Sequence, residues 1–248
     1  MTRMRHRTSN HEHAGPKPRA RRLKPVSDER GVALIVALLV MVLLSALGLS
    51  LTMVTSTEER IAASYRDGGE AFYAADAAFE RVVQELTLVP DWNRVLDGSV
   101  TSSFVDAQAS IGRWPDPSAR TPAEATELLR CGKTVCTAAD LAARTPERPW
   151  GANNPRWQLF AWGPVANMGA SGTVNSRIYL AAWVADDPSE NDGNPLVDGD
   201  SSAGANPGLG MLAVLVHAYG PTGVRRVIEA TVARTGTGVR VLSWRELR

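Results

Sequence analysis

DERGVALIVALLVMVLLSALG, residues 28–48, decides how the rest of the chain is read. Three ionisable residues and a glycine are followed by no Asp, Glu, Lys, Arg or His from Val32 to Thr57, and Val32 to Leu44 is purely apolar. About 20 helical residues cover a hydrocarbon core of about 30 Å. A secretory signal has a shorter apolar core, about 7 to 15 residues, with a small-residue cleavage site beyond it. Leu, Val, Ile, Ala and Met dominate the run, so each backbone group can be satisfied inside one helix. The stretch predicts a single membrane-spanning helix over 32–57.

Outward to the N-terminal side, residues 1–30 carry nine Lys/Arg against three acids, although the whole chain has a net charge of only +1. Positive flanks resist translocation. The tail MTRMRHRTSNHEHAGPKPRARRLKP therefore predicts a cytoplasmic leader at 1–31, with the bulk of the chain outside the inner membrane. Basic arms also bind phosphate without specificity, but the adjoining apolar run accounts for this charge without a specific nucleic-acid partner. His6, His11 and His13 form a histidine-containing tract that metals can use; a flexible, uncoordinated cluster is the simpler reading. Cys131 and Cys136, in RCGKTVC, are the two cysteines of the chain. They suit one small-loop disulfide in an oxidising compartment, whereas a closed zinc site needs two further ligands.

Outward to the C-terminal side, polarity rises gradually to Glu58, Glu59 and Arg60 with no helix breaker. The helix is expected to continue over 58–89, where Phe72, Ala75, Phe79, Val82, Leu86 and Val89 recur at spacings of three and four. Pro90 stops it. Gly68-Gly69 is the expected bend or soft point, because each glycine weakens a helix by about 1 kcal/mol.

The run ERGVALIVALLVMVLLSALGLSLTMVTSTEERIAASYRDGGEAFYAADAAFE resembles the N-terminal region of PilX-like minor pilins of the type IV pilus. There a basic leader ending in glycine precedes the apolar helix, and an EER, YRD, A-F-x-A-A-(D/E)-A-A segment follows. The resemblance implies that a prepilin peptidase cuts after Gly31 and leaves Val32 as the first mature residue, N-methylated. It also implies other pilin and minor pilin subunits as partners and an extracellular filament as destination. Two positions depart from the pilin pattern. Val32 stands where most pilins begin with Phe, and Val36 stands where major pilins carry a glutamate that neutralises a neighbour's terminal amine. A carboxylate inside a membrane is costly unless paired, so it marks an assembly contact, which this chain lacks.

Residues 90–156 hold seven of the fifteen prolines and read as a long ordered connection carrying the cysteine pair. A short helix is expected at Thr121 to Arg130, with Thr121-Pro122 as N-cap and first-turn proline. Beyond it, over 157–248, RWQLFAWGPV, SRIYLAAWVAD, GMLAVLVHAYG, VRRVIEATVAR and VRVLSWREL read as successive strands, with Tyr219-Gly220-Pro221-Thr222-Gly223 as a hairpin turn. A helix with one apolar stripe and a sheet with one apolar face pack together. The fold class is α+β, a long N-terminal helix on a C-terminal antiparallel sheet, which is also what the resemblance implies. Trp157, Trp162 and Trp183 offer either a sugar platform or, more simply, core.

DDPSENDGNPLVDGDSSAGANPG, residues 186–208, crowds Asp186, Asp187, Glu190, Asp192, Asn194, Asp198 and Asp200 among glycines. Flexible loops of this kind can give Ca²⁺ its six to eight oxygens, although the spacing is not that of an EF-hand; a solvated inter-strand loop is the alternative. No cofactor is otherwise indicated. His217, mid-strand, reads as packed rather than as a general base, and GxSxG, HExxH, phosphate-loop and CxxC motifs are missing. The chain reads as a non-enzymatic minor pilin-like subunit that assembles filaments, with adhesion as an added role of the exported domain. A pseudopilin of a type II secretion system, and a single-pass membrane anchor for an extracellular binding domain, are the alternatives.

Overall fold

The computed structural model describes residues 29–168, 174–188, 193–199 and 209–247. The leader up to residue 28, its three histidines, Glu190, Asp192 and Asp200 lie outside the described residues. The chain divides into two units, Met1–Ser56 and Thr57–Arg248.

Helix α1 spans Glu29–Leu88. Within the first unit its large apolar side chains are exposed, Leu34, Leu39, Met41 and Leu44 among them. A helix that is apolar all round and uncovered suits lipid. Its few hydroxyls are turned inward: Ser45 Oγ donates to the Met41 carbonyl at 2.8 Å and Thr52 Oγ1 to that of Gly48 at 2.9 Å. Such back-bonding satisfies a hydroxyl where no water is available.

In the second unit, five strands follow: β1 (Gln158–Pro164), β2 (Tyr179–Asp186), β3 (Met211–Tyr219), β4 (Arg225–Thr235) and β5 (Gly238–Leu247). They form one antiparallel sheet in the order β1-β2-β3-β4-β5. The architecture is α+β. The later part of α1 buries Ala71, Ala75, Ala78, Phe79, Val82 and Leu86 against Leu180, Ala182, Val184, Val214, Val216, Ile228 and Val232 of the sheet. Burying Phe79, Val82 and Leu86 contributes about 1.5 to 3 kcal/mol each. Ala75, Phe79, Val82 and Leu86 of the expected stripe are buried and Val89 packs beside them, but Ala71 takes the inward place expected of Phe72, which is half-buried at the margin, edge-on to Trp244 at 6.1 Å. The reason is fit. Small residues at 71 and 75 let the helix backbone approach the sheet closely.

The expected bend at Gly68-Gly69 is absent, and α1 runs through both glycines. Gly68 serves a close approach instead. A Cβ there would stand 2.9 Å from the Arg226 guanidinium, whose Nε donates to the Gly68 carbonyl at 3.3 Å. The helix ends at Leu88, and its last carbonyls find donors as helix termini require. Trp92 Nε1 donates to the Leu86 carbonyl, and Arg234 donates to those of Val89 and Pro90 while lying 4.3 Å over the Trp92 ring. A cation at this end also complements the helix dipole.

The connection does more than connect. After α2 (Asn93–Leu96), α3 (Pro122–Cys131) packs on the other face of the sheet, and α4 (Ala138–Leu141) follows it. Thr121 caps α3 by accepting from the Glu124 N–H, as its sequence predicts. A second core forms there from Trp114, Ala119, Ala125, Trp162, Ala181, Trp183 and Tyr219. The sheet thus has two apolar faces where one was expected. In β2 consecutive residues divide between them: Leu180, Ala182 and Val184 face α1, Ala181 and Trp183 face the connection. Strands buried on both sides read as near-continuous apolar runs.

Candidate functional site

Among the described residues, the histidine of the second unit is a packing residue. His217 lies between Trp183 and Tyr219, its Nδ1 2.8 Å from the Tyr219 hydroxyl. Burial pushes its imidazole down to about 3, with Arg225 adding to the shift and Asp116 opposing it. Burial likewise pushes the Tyr219 phenol upward. The phenol therefore keeps its proton and shares one hydrogen bond with an uncharged imidazole. This is a satisfied packing histidine. Trp162 and Trp183 are core as well: Trp183 Nε1 donates to Thr126 Oγ1 at 2.9 Å and Trp162 Nε1 to the Ala107 carbonyl at 3.0 Å. Trp157 packs beside them, half-buried.

The acidic segment is split by the fold. Asp186 closes β2 and is buried with Asp187 beside it. Asn194 holds its own turn, its carbonyl accepting from Val197 N–H. Asp198 is a structural staple: its Oδ1 accepts from the Gly210 N–H at 2.7 Å, and its own N–H donates to Asn93 Oδ1 at 2.7 Å. Burial raises its carboxyl above the ordinary aspartate range, opposed by the bond from Gly210. Among the described residues, no three His, Cys, Asp or Glu side chains gather in a metal-binding group.

The sulfurs of Cys131 and Cys136 lie at bonding distance, 2.00 Å, with Cα atoms 6.0 Å apart. The loop they close folds back on α3, where Cys136 N–H donates to Glu127 and Lys133 pairs with Asp140 at 2.6 Å. Beside it a groove of about 760 Å³ opens between α3 and strands β3 to β5, with Leu128, Leu129, Trp150, Trp157, Arg245 and Leu247 on its walls.

The remaining features belong to α1. Gly31 and Val32 sit inside it, within three residues of its start at Glu29. A Cβ on Gly31 would touch nothing within 4 Å, and Val32 and Val36 are exposed. An uncovered apolar helix with a glycine at its beginning leads into an amphipathic continuation seated on a sheet. The family comparison resolves this combination. Residues 30–80 match the PilX N-terminal family model. The PilX N-terminal region thus takes in the apolar helix and the start of its sheet-packing continuation, and it leaves the connection and the sheet outside. No curated protein and no solved structure matches the chain. A PilX N-terminal region is a structural element of type IV pilins, and with the apolar helix it fits membrane anchoring and a place among pilin subunits.

Proposed function

We propose that this protein is a minor pilin that joins the assembly of a type IV pilus at or near its tip. One observation carries the reading: residues 30–80 are a PilX N-terminal region laid out as an uncovered apolar helix that continues into a sheet-packed helix. The leader is cut between Gly31 and Val32 by a prepilin peptidase, and Val32 becomes the methylated first residue. The helix holds the subunit in the inner membrane, N-terminus towards the cytoplasm, until it is drawn into the filament.

The tip position is supported by Val36. A pilin glutamate there attracts the terminal amine of a subunit already in place; a valine cannot. The chain can still offer its own Val32 amine to a neighbour's carboxylate, so it is the subunit that others join. In a low-dielectric medium such a pair is far stronger than at a surface, although desolvation offsets much of the gain. The second unit is then carried to the distal end, where adhesion is its further role.

Sheared filaments provide the test. Intact mass of this chain in the filament fraction is expected to correspond to a start at Val32, and immunogold against the second unit should appear sparsely at one end. A mass starting near Met1, in cells with an active prepilin peptidase, leaves a plain single-pass anchor. Even labelling along the shaft removes the tip assignment.

A further inference from the structure

The two edges of the sheet are treated differently. Segment 102–106 runs along the outer side of β1: Ser102 N–H donates to the Phe160 carbonyl, Trp162 N–H to Phe104, and Asp106 N–H to Trp162, with a parallel bridge between Val105 and Trp162. That edge is closed. β5, at the other end, pairs with β4 alone among the described residues. Its surfaces are covered only in part, by Phe72 of α1 against Trp244 and by the packing of Val239 on the core. Val241, Leu242 and Trp244 are 39%, 41% and 42% exposed, whereas β2 and β3 are largely buried.

Natural edge strands are shielded by pairing, charge or a bulge, because unpaired N–H and C=O groups recruit other strands. β5 has a bulge that leaves Leu242 without a cross-strand partner, since Val241 faces Val232 and Ser243 faces Thr231. The extra residue is a leucine, which does not repel a partner. Its charges discriminate among partners. Arg245 is bonded to Glu229 at 2.7 Å and Glu246 to Arg226 at 3.0 Å, which leaves Arg240 as the β5 charge with no partner among the described residues. A second copy of this chain would offer only its own β5, because its β1 edge is closed. Two β5 strands side by side bring Arg240 and Arg245 of both chains to one seam with every carboxylate of β5 already engaged.

We propose that β5 is a docking edge for an extended strand of a different pilin-type subunit, one with alternating apolar residues and a carboxylate placed to meet Arg240. Main-chain hydrogen bonds supply the attachment in strand addition, and alternate side chains supply selectivity. On one face the added strand packs against Trp244 and Val241; on the other it extends the wall of the groove that ends at Arg245 and Leu247. The inference rests on the reading of this chain as a filament subunit.

The test uses the full-length chain in cells, with the photoreactive benzoylphenylalanine at Leu242, and analyses sheared filaments. The expected adduct joins a different pilin-type chain through a strand-forming peptide that contains Asp or Glu. Arg240→Glu should lower incorporation into filaments at least tenfold and Arg240→Lys should retain it, while the melting temperature of both variants stays at the wild-type value because the Arg240 side chain is exposed and makes no ion pair among the described residues. An adduct to another copy of this chain, to lipid, or to a helix of a neighbour overturns the proposal, as does the lack of any adduct or wild-type incorporation of Arg240→Glu. If unsubstituted protein never enters filaments, the subunit reading itself fails, a result separable from failure of the edge.

Discussion

At the residue scale, His217 shows how burial turns a titratable group into a stability term. The unfolded imidazole takes up a proton near its ordinary value of 6.5, and the folded one only near about 3. Between those values the unfolded chain binds more protons, so stability falls as pH falls, by up to about 1.4 kcal/mol per pH unit. His217→Phe keeps an aromatic ring against Trp183 and removes the proton. Urea unfolding of the detergent-solubilised protein at pH 6.5 and pH 4.5 should show a clear loss for wild type and a much smaller one for the variant; equal losses would sink the assignment. Asp198 makes a second test. Asp198→Ala strands the Gly210 N–H and is expected to cost about 1 to 3 kcal/mol, while Asp198→Asn keeps an acceptor and costs less. The calcium reading of loop 186–200 makes another demand: wild-type melting temperature must rise at millimolar Ca²⁺ by mass action, and Asp198→Ala must remove that rise. A cost of Asp198→Ala that is equal with and without Ca²⁺ leaves Asp198 as the staple it is in the fold.

At the element scale, α1 separates two glycines that look equivalent in sequence. Around Gly69 nothing lies within 4 Å of an added Cβ. Gly69→Ala should therefore stabilise the second unit by about 0.5 to 1 kcal/mol through helix propensity. Gly68→Ala meets the Arg226 guanidinium at 2.9 Å. Arg226 must shift, loosening its bond to the Gly68 carbonyl and its pairing with Glu246, so the propensity gain is offset. Thermal melts of the two variants against wild type check this, and an equal rise for both would show that the Arg226 contact contributes nothing. The same helix explains why Phe72 and Phe79 differ: one touches Trp244 at a margin, the other is buried in the core between helix and sheet.

At the scale of the whole molecule, Cys131 and Cys136 report which side of the membrane the second unit occupies. Their bond requires an oxidising compartment. Rapid alkylation of unreduced full-length protein from cells should label neither thiol, whereas a variant retained in the cytosol by deletion of 32–57 should be labelled at both. Two free thiols in the wild type would refute export together with the disulfide. Closing so short a loop contributes about 2 kcal/mol on the chain-entropy model, and Cys131→Ser with Cys136→Ser should lower stability by about that amount. That loop closes at the end of α3, which covers the second face of the sheet.

Sequence alone determined the features that are local in the chain. An uncharged run of bilayer length, a three-and-four periodicity after it, Pro90 as a stop, the Thr121-Pro122 helix start and five β-rich segments bounded by turn residues each depend on neighbours a few positions away, so each was readable in order. The PilX likeness of 30–80 was readable for the same reason, being one unbroken helical stretch. Tertiary structure decided what depends on distant segments. The sheet was expected to have one apolar face, and nothing in the runs of β2 and β3 names residues 107–131 as the cover of a second one. The phase of the α1 stripe, with Ala71 inward and Phe72 at the rim, was set by how closely helix and sheet approach. Gly68 looked like a hinge until Arg226, far along the chain, filled its empty side. The closed β1 edge and the open β5 edge follow from where segment 102–106 runs, and a choice between two edges of one sheet is made by long-range pairing, which periodicity within a strand does not encode.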